Sequence, residues 1–175
     1  ETKEAWVAAL ENKSGPTALL LTRQNLPIFD RKVLASAENL KQGAYTIWEN
    51  SAACHDIIIM ASGSEVWVSL EAGKRLAQEG KKVRVVSFPS WELFEQQDDA
   101  YKVSVFPAEC HARLAVEAGC SIGWEKFVGR EGKIIGIDHF GASAPGAILA
   151  EKFGITVENV YKQARSLIAL WSPGY

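Results

Sequence analysis

The sequence predicts a three-layer α/β fold, with helices on both faces of a mostly parallel sheet of about five strands. Three observations predict it. The run Asp56-Ile57-Ile58-Ile59-Met60-Ala61 is a continuous apolar stretch entering a Gly-containing turn, the mark of a strand buried on both faces. From Ser64 to Glu79, Val66, Leu70, Gly73 and Ala77 step as one face of a helix, while Lys74, Gln78 and Lys81 fall elsewhere. Val83 to Phe88 then returns as a strand, completing a βαβ unit whose crossover is right-handed in nearly all proteins.

The remaining elements follow in order. Trp6, Val7, Ala9 and Leu10 form a short amphipathic helix that Ser14-Gly15-Pro16 ends. Thr17 to Thr22 reads as a buried strand, with Arg23, Gln24 and Asn25 at its carboxyl end and Leu26-Pro27 turning the chain away. One helix and one unpaired strand cannot make a domain, so this segment predicts the closing unit of a preceding one. A first residue other than Met, followed at once by a helical pattern, likewise predicts that the chain continues a longer one.

Residues 28–43 are polar and weakly periodic, a connecting segment with a short helix near Ala35 to Asn39. Ala44 to Trp48 alternates as a short edge strand. Ser64 is placed to cap the helix after the central strand, and Gly80 to end it. Pro89-Ser90 caps a short helix through Phe94, and a polar helix spans Gln97 to Val105. Arg113 to Val116 is a strand that leaves through Glu117-Ala118-Gly119. Gly123 to Phe127 is an aromatic helical turn, and Lys133 to Ile137 is a further strand. Pro145 opens a helix reaching Phe153 and Gly154 stops it; Thr156 caps the last helix, stepped by Val160, Ala164, Leu167 and Trp171. The sequence contains no internal repeat and no low-complexity segment.

Composition narrows the function. With 175 residues, 47% of them hydrophobic, the chain can bury one domain and an appendage. A net charge of −2, without long like-charge runs, offers no electrostatic reason to bind nucleic acid or a membrane surface. No apolar run approaches the ~20 residues of a membrane span. Three irregularly spaced cysteines suit a reducing compartment, and the expected location is cytoplasmic.

Each candidate site has a plain alternative. Ser62-Gly63-Ser64-Glu65 could cradle an anion at a helix N-terminus, but it lacks a phosphate-loop pattern and Glu65 already supplies the negative charge, so a capped tight turn is the stronger reading. Gly129-Arg130-Glu131-Gly132-Lys133 has the wrong spacing and precedes a strand. Cys54-His55 and Cys110-His111 lack zinc-ligand spacing. Ser143 lacks the second glycine of a nucleophile elbow, and its loop suits helix capping. Arg23 differs: a guanidinium at a strand's carboxyl end can fork onto a phosphate or carboxylate, or make only a surface ion pair.

Six stretches, in order and nearly end to end, resemble the transketolase family. They are Gly15 to Leu26 (GPTALLLTRQNL), Ala61 to Val66 (ASGSEV), Val86 to Phe94 (VSFPSWELF), Ala115 to Gly119 (AVEAG), Gly123 to Gly129 (GWEKFVG) and Phe140 to Gly146 (FGASAPG). The resemblance implies that residues 1–30 are the tail of the family's pyrimidine-binding domain, 31–43 a linker, and 44–175 its C-terminal domain. The thiamine diphosphate site, its Mg²⁺ ligands and the cofactor-activating glutamate would then lie upstream, in the missing N-terminal and pyrimidine-binding domains. The parent enzyme would be a homodimer of the pentose phosphate pathway, moving a two-carbon ketol unit between sugar phosphates through a cofactor-stabilised carbanion.

By position, Arg23 matches the family arginine that binds the substrate's phosphate. His139 stands where an arginine is common in the family. The fragment itself would be structural and inactive. The alternatives are a module that binds a small anion at the strand ends near Ser62, Gly119 and Phe140, a pure assembly domain, or the equivalent part of deoxyxylulose-phosphate synthase or dihydroxyacetone synthase.

Overall fold

The computed structural model describes residues 1–52 and 54–171. Helix α1 (Thr2–Glu11) comes first, and a 3-10 helix (Ala37–Gln42) precedes the sheet. The core alternates: β1 (Tyr45–Glu49), β2 (Ile57–Ala61), α2 (Glu65–Gln78), β3 (Val83–Ser87), α3 (Trp91–Glu95), α4 (Asp99–Val105), β4 (Arg113–Val116), α5 (Glu125–Val128) and β5 (Lys133–Ile135). Helices α6 (Gly146–Lys152) and α7 (Val157–Trp171) follow. The strand order is β1-β3-β2-β4-β5, parallel throughout except for β1, which runs antiparallel to β3 on the edge.

Strand β2 is central because it is apolar on both faces. Ile57, Ile59 and Ala61 pack under α2 and α7 with Val83, Val85, Leu114 and Val116, meeting Val66, Leu70, Leu76, Val160, Ala164 and Leu167. Ile58 and Met60 face the opposite layer, where α3, α4 and α5 deliver Phe94, Phe106, Phe127 and Trp124 around Phe88. This period of two along β2, against a period near 3.6 along α2 and α7, is what divides the core into two layers. The edge strand breaks register between Thr46 and Trp48, a bulge that blunts an edge otherwise open to further pairing.

Local chemistry sets the boundaries. After α2, the Gly80 amide bonds Ala77 O and the Lys81 amide bonds Leu76 O, with Gly80 at φ 81°, so the helix closes in the glycine-ended motif its sequence predicts. Ser90 accepts from the Leu93 amide and starts α3, and Asp98 accepts from the Tyr101 amide and starts α4 at Asp99, two residues later than Gln97. Gly43 turns the chain into β1 at φ 81°; an added Cβ would lie 2.1 Å from the Phe94 nitrogen and 2.4 Å from Ser90 O. Arg113 donates to the carbonyls of Cys110, Phe127, Phe106 and Pro107, tying the segments around α4 and α5 to the start of β4.

Four expectations change. Thr17 to Thr22 forms no strand and runs as exposed chain, with Leu20 92% and Leu21 55% exposed. An apolar sequence makes a strand only when a neighbour completes the ladder, and none lies beside this one among the described residues. The segment Ala35 to Asn39 is a 3-10 helix shifted to Ala37–Gln42, its N-terminus held by the Ser36 hydroxyl. The aromatic turn becomes α5, starting at Glu125. Strand β5 ends at Ile135, because the Ile137 amide turns to Gly119 O in the neighbouring exit loop. No helix among the described residues is long and apolar enough to cross a membrane.

Candidate functional site

In open α/β sheets ligands bind where the strand order reverses, outside the carboxyl ends of the strands. Here that place lies between β2 and β4, since β3 flanks β2 on one side and β4 on the other. Two turns line it, Ser62-Gly63-Ser64 after β2 and Glu117-Ala118-Gly119 after β4.

The crevice is filled by its own side chains. Ser62 Oγ donates to Glu117 Oε2 at 3.1 Å, and Ser64 Oγ donates to Glu65 Oε1 at 2.5 Å. The Ser62–Glu117 bond joins the turn after β2 to the turn after β4. The Glu65 amide bonds Ser62 O at 3.1 Å and the Val66 amide bonds Gly63 O at 3.4 Å, so the first amides of α2 are not free to cradle an anion. Burial pushes the Glu65 carboxyl above the usual carboxylate range; burial and then the Glu65 charge do the same to Glu117. The capped-turn reading therefore holds, with one correction. Ser64 occupies the N-cap position in helical backbone geometry, but its hydroxyl serves the Glu65 carboxyl and not an amide.

The other candidates are scattered. Arg23 lies on the exposed segment between α1 and the 3-10 helix, with no hydrogen bond or ion pair to a described residue. Lys133 Nζ reaches Gln163 and Ser166 on α7, so the Gly129–Lys133 loop presents no phosphate clamp. His55 Nε2 lies between Glu49 Oε2 and Ser51 O, while Cys54 is exposed beside Lys82. Burial pushes the Cys110 thiol up to about 11, and His111 stacks on Trp171. Neither Cys-His pair converges, and no group of three His, Cys, Asp or Glu among the described residues could hold a metal ion. Ser143 is exposed and does not cap α6, whose N-cap position Pro145 occupies without a side-chain bond. His139 bonds Phe140 O and packs on Phe153, leaving Phe140 fully exposed.

Two polar groupings escape sequence reasoning. Glu117 reads only as a strand exit until the sheet order brings it to Ser62. Arg84, in the middle of a buried strand, donates to Glu49 Oε2 at 2.8 Å and to the carbonyls of Ser104 and Val105, and Glu49 also meets His55. The only hint in the sequence is a charged residue inside an otherwise apolar run.

Residues 43–156, well over half of the chain, match the family model described as the transketolase-like C-terminal domain. The transketolase of Staphylococcus epidermidis is 48% identical over 167 residues, covering 95% of this chain and 25% of the relative. Among solved structures, transketolase from Leishmania mexicana superposes with a TM-score of 0.89 at 41% identity, over 99% of this chain and 24% of that one. A Pichia stipitis transketolase in complex with sedoheptulose 7-phosphate gives 0.86 at 36% identity, over 97% and 24%. The chain thus spans about a quarter of the length of the relatives it matches.

Proposed function

The chain belongs to the transketolase family, and from that premise we propose that it is the C-terminal part of a longer enzyme that moves a two-carbon ketol unit from a ketose phosphate to an aldose phosphate. The observation that carries this reading is the match of nearly the whole chain to one quarter of each relative. Residues 1–30 then close the pyrimidine-binding domain, 31–43 link, and 44–175 form a supporting domain of a cytoplasmic homodimer in the pentose phosphate pathway. The strand-like segment Thr17 to Thr22 supports the division, since its exposed leucines and open backbone suit a sheet supplied from upstream.

Thiamine diphosphate with Mg²⁺ would supply the carbanion-stabilising chemistry of the parent. The residues of this chain do not fit that group. The strand-end crevice presents two carboxyls and occupied amides where a diphosphate would need cations and free N–H donors. The cofactor is therefore assigned to the upstream domains, and no step of the reaction is routed through the strand-end crevice.

Arg23 is the residue with a substrate role. Its guanidinium carries five donors that no described residue uses, and in the Pichia stipitis relative the bound molecule is a sugar phosphate. A charge-assisted phosphate contact contributes about 1.5–3 kcal/mol. In the full-length enzyme, Arg23→Ala should lower kcat/KM for sugar phosphates roughly 10- to 150-fold, mainly through KM. Unchanged kinetics with phosphorylated sugars would remove the assignment.

A further inference from the structure

Helix α1 lies against the 3-10 helix, yet it buries none of its side chains, and Trp6, Val7 and Leu10 are all exposed. A polar contact made by the residue before it reaches the sheet instead. Ser87 Oγ, at the carboxyl end of β3, donates to Glu1 Oε1 at 2.5 Å, and the Tyr45 hydroxyl, at the start of β1, donates to the same oxygen. Ser87 is 0% exposed and Tyr45 2%, and among the described residues neither hydroxyl has another acceptor. Arg31 Nη1, from the linker, donates to the Tyr45 oxygen at 3.3 Å and to Ala35 O at 2.7 Å, which leaves the Tyr45 proton for Glu1. Burial, and then the Glu1 charge, push the Tyr45 hydroxyl far above its ordinary value, so it stays a donor. The Glu1 side chain makes no capping bond to the first amides of α1, so its bonds are spent on the sheet.

We propose that the Tyr45 and Ser87 hydroxyls form a docking site for a carboxylate, that Glu1 is its occupant, and that this polar clasp seats α1 on the edge of the sheet. The chemistry of the occupant follows from the donors. Two buried O–H groups converging on one oxygen fit an anionic acceptor, and hydrogen bonds to an ionised partner are roughly twice as strong as neutral ones. An apolar side chain at position 1 would leave both hydroxyls buried without an acceptor. Through Arg31 the same corner also fixes the start of the linker. The clasp rests on bonds within this chain; its reading as a contact between two domains rests on the division proposed above.

The test is amide hydrogen exchange in this chain at residues 5–11. A helix of 10 residues is marginal in water unless something holds it, so these amides report docking. Exchange at residues 57–61 in the same samples shows that the sheet stays folded. Ser87→Ala and Tyr45→Phe leave α1 untouched and each remove one donor; each should accelerate exchange in α1 at least about fivefold. Glu1→Ala should do the same, and its effect should shrink at least about fivefold when Tyr45→Phe and Ser87→Ala are already present, because the partners are gone. Two results would overturn the clasp. One is exchange in α1 at the unsubstituted rate in both hydroxyl variants. The other is an equal effect of Glu1→Ala in both backgrounds, which would mean that Glu1 acts only on the dipole of its own helix. Should Tyr45→Phe disturb β1 through loss of the Arg31 bond, Ser87→Ala, whose hydroxyl meets only Glu1 among the described residues, decides. Both results leave the assignment of residues 1–30 to a preceding domain untouched.

Discussion

Phe88 is the hinge of the aromatic layer, and its truncation gives a worked prediction. The side chain is 1% exposed at the end of β3. Its ring lies 4.6 Å from Phe127, 5.1 Å from Phe94, 5.6 Å from Trp124 and 5.8 Å from Phe106, centroid to centroid, three of these contacts edge-on. Phe→Ala in a core costs about 3–5 kcal/mol, the upper part of the range applying where neighbours cannot collapse into the gap. Here the partners are anchored on three separate helices and on one another, so the cavity should persist. Edge-on pairs add about 0.5–1.5 kcal/mol each, though pairs sharing one ring do not sum. We expect Phe88→Ala to lose about 4 kcal/mol by urea unfolding, with a Tm lowered by about 8–16 °C for a chain of this size. Phe88→Leu, which keeps much of the volume, should lose roughly half as much. A loss below about 2 kcal/mol for the alanine variant would show that the aromatic layer is not organised around this ring.

Two further predictions concern other sites. Gly43→Ala combines a positive φ with a Cβ placed 2.1 Å from backbone nitrogen of α3, and should cost about 2–5 kcal/mol in the same assay; a near-neutral variant would mean that the junction between the 3-10 helix and β1 can shift. Of the three thiols, exposed Cys54 and Cys120 should react with an alkylating reagent at pH 8. Cys110, buried and pushed up to about 11, should react only on unfolding. Fast modification of all three would contradict the packing around α4.

The sheet was legible where local pattern and tertiary context agree. Three buried strands, β2, β3 and β4, read as apolar runs because both faces are covered, and the periodicity of α2 and α7 matches their buried residues. Thr17 to Thr22 shows the opposite case: an apolar run becomes a strand only beside a neighbour, and no described residue pairs with this one. The start of α4 at Asp99 turns on which of two adjacent aspartates caps, a choice of side-chain geometry that composition does not carry. The SFPSWELF stretch that carries much of the family resemblance supplies a core ring, an N-cap and two aromatic partners, so its residues build the domain. The candidate site was half legible. The Ser62–Glu65 turn could be dismissed as an anion cradle from Glu65 alone, but its pairing with Glu117 follows from strand order, which sequence spacing does not encode.

The central claim is that this chain supports a ketol-transferring enzyme without holding its cofactor. Titration calorimetry of thiamine diphosphate with Mg²⁺ into this chain, beside the full-length protein, tests it most directly. The account predicts saturable heat for the full-length protein and none for the chain alone; micromolar binding by the chain would contradict it.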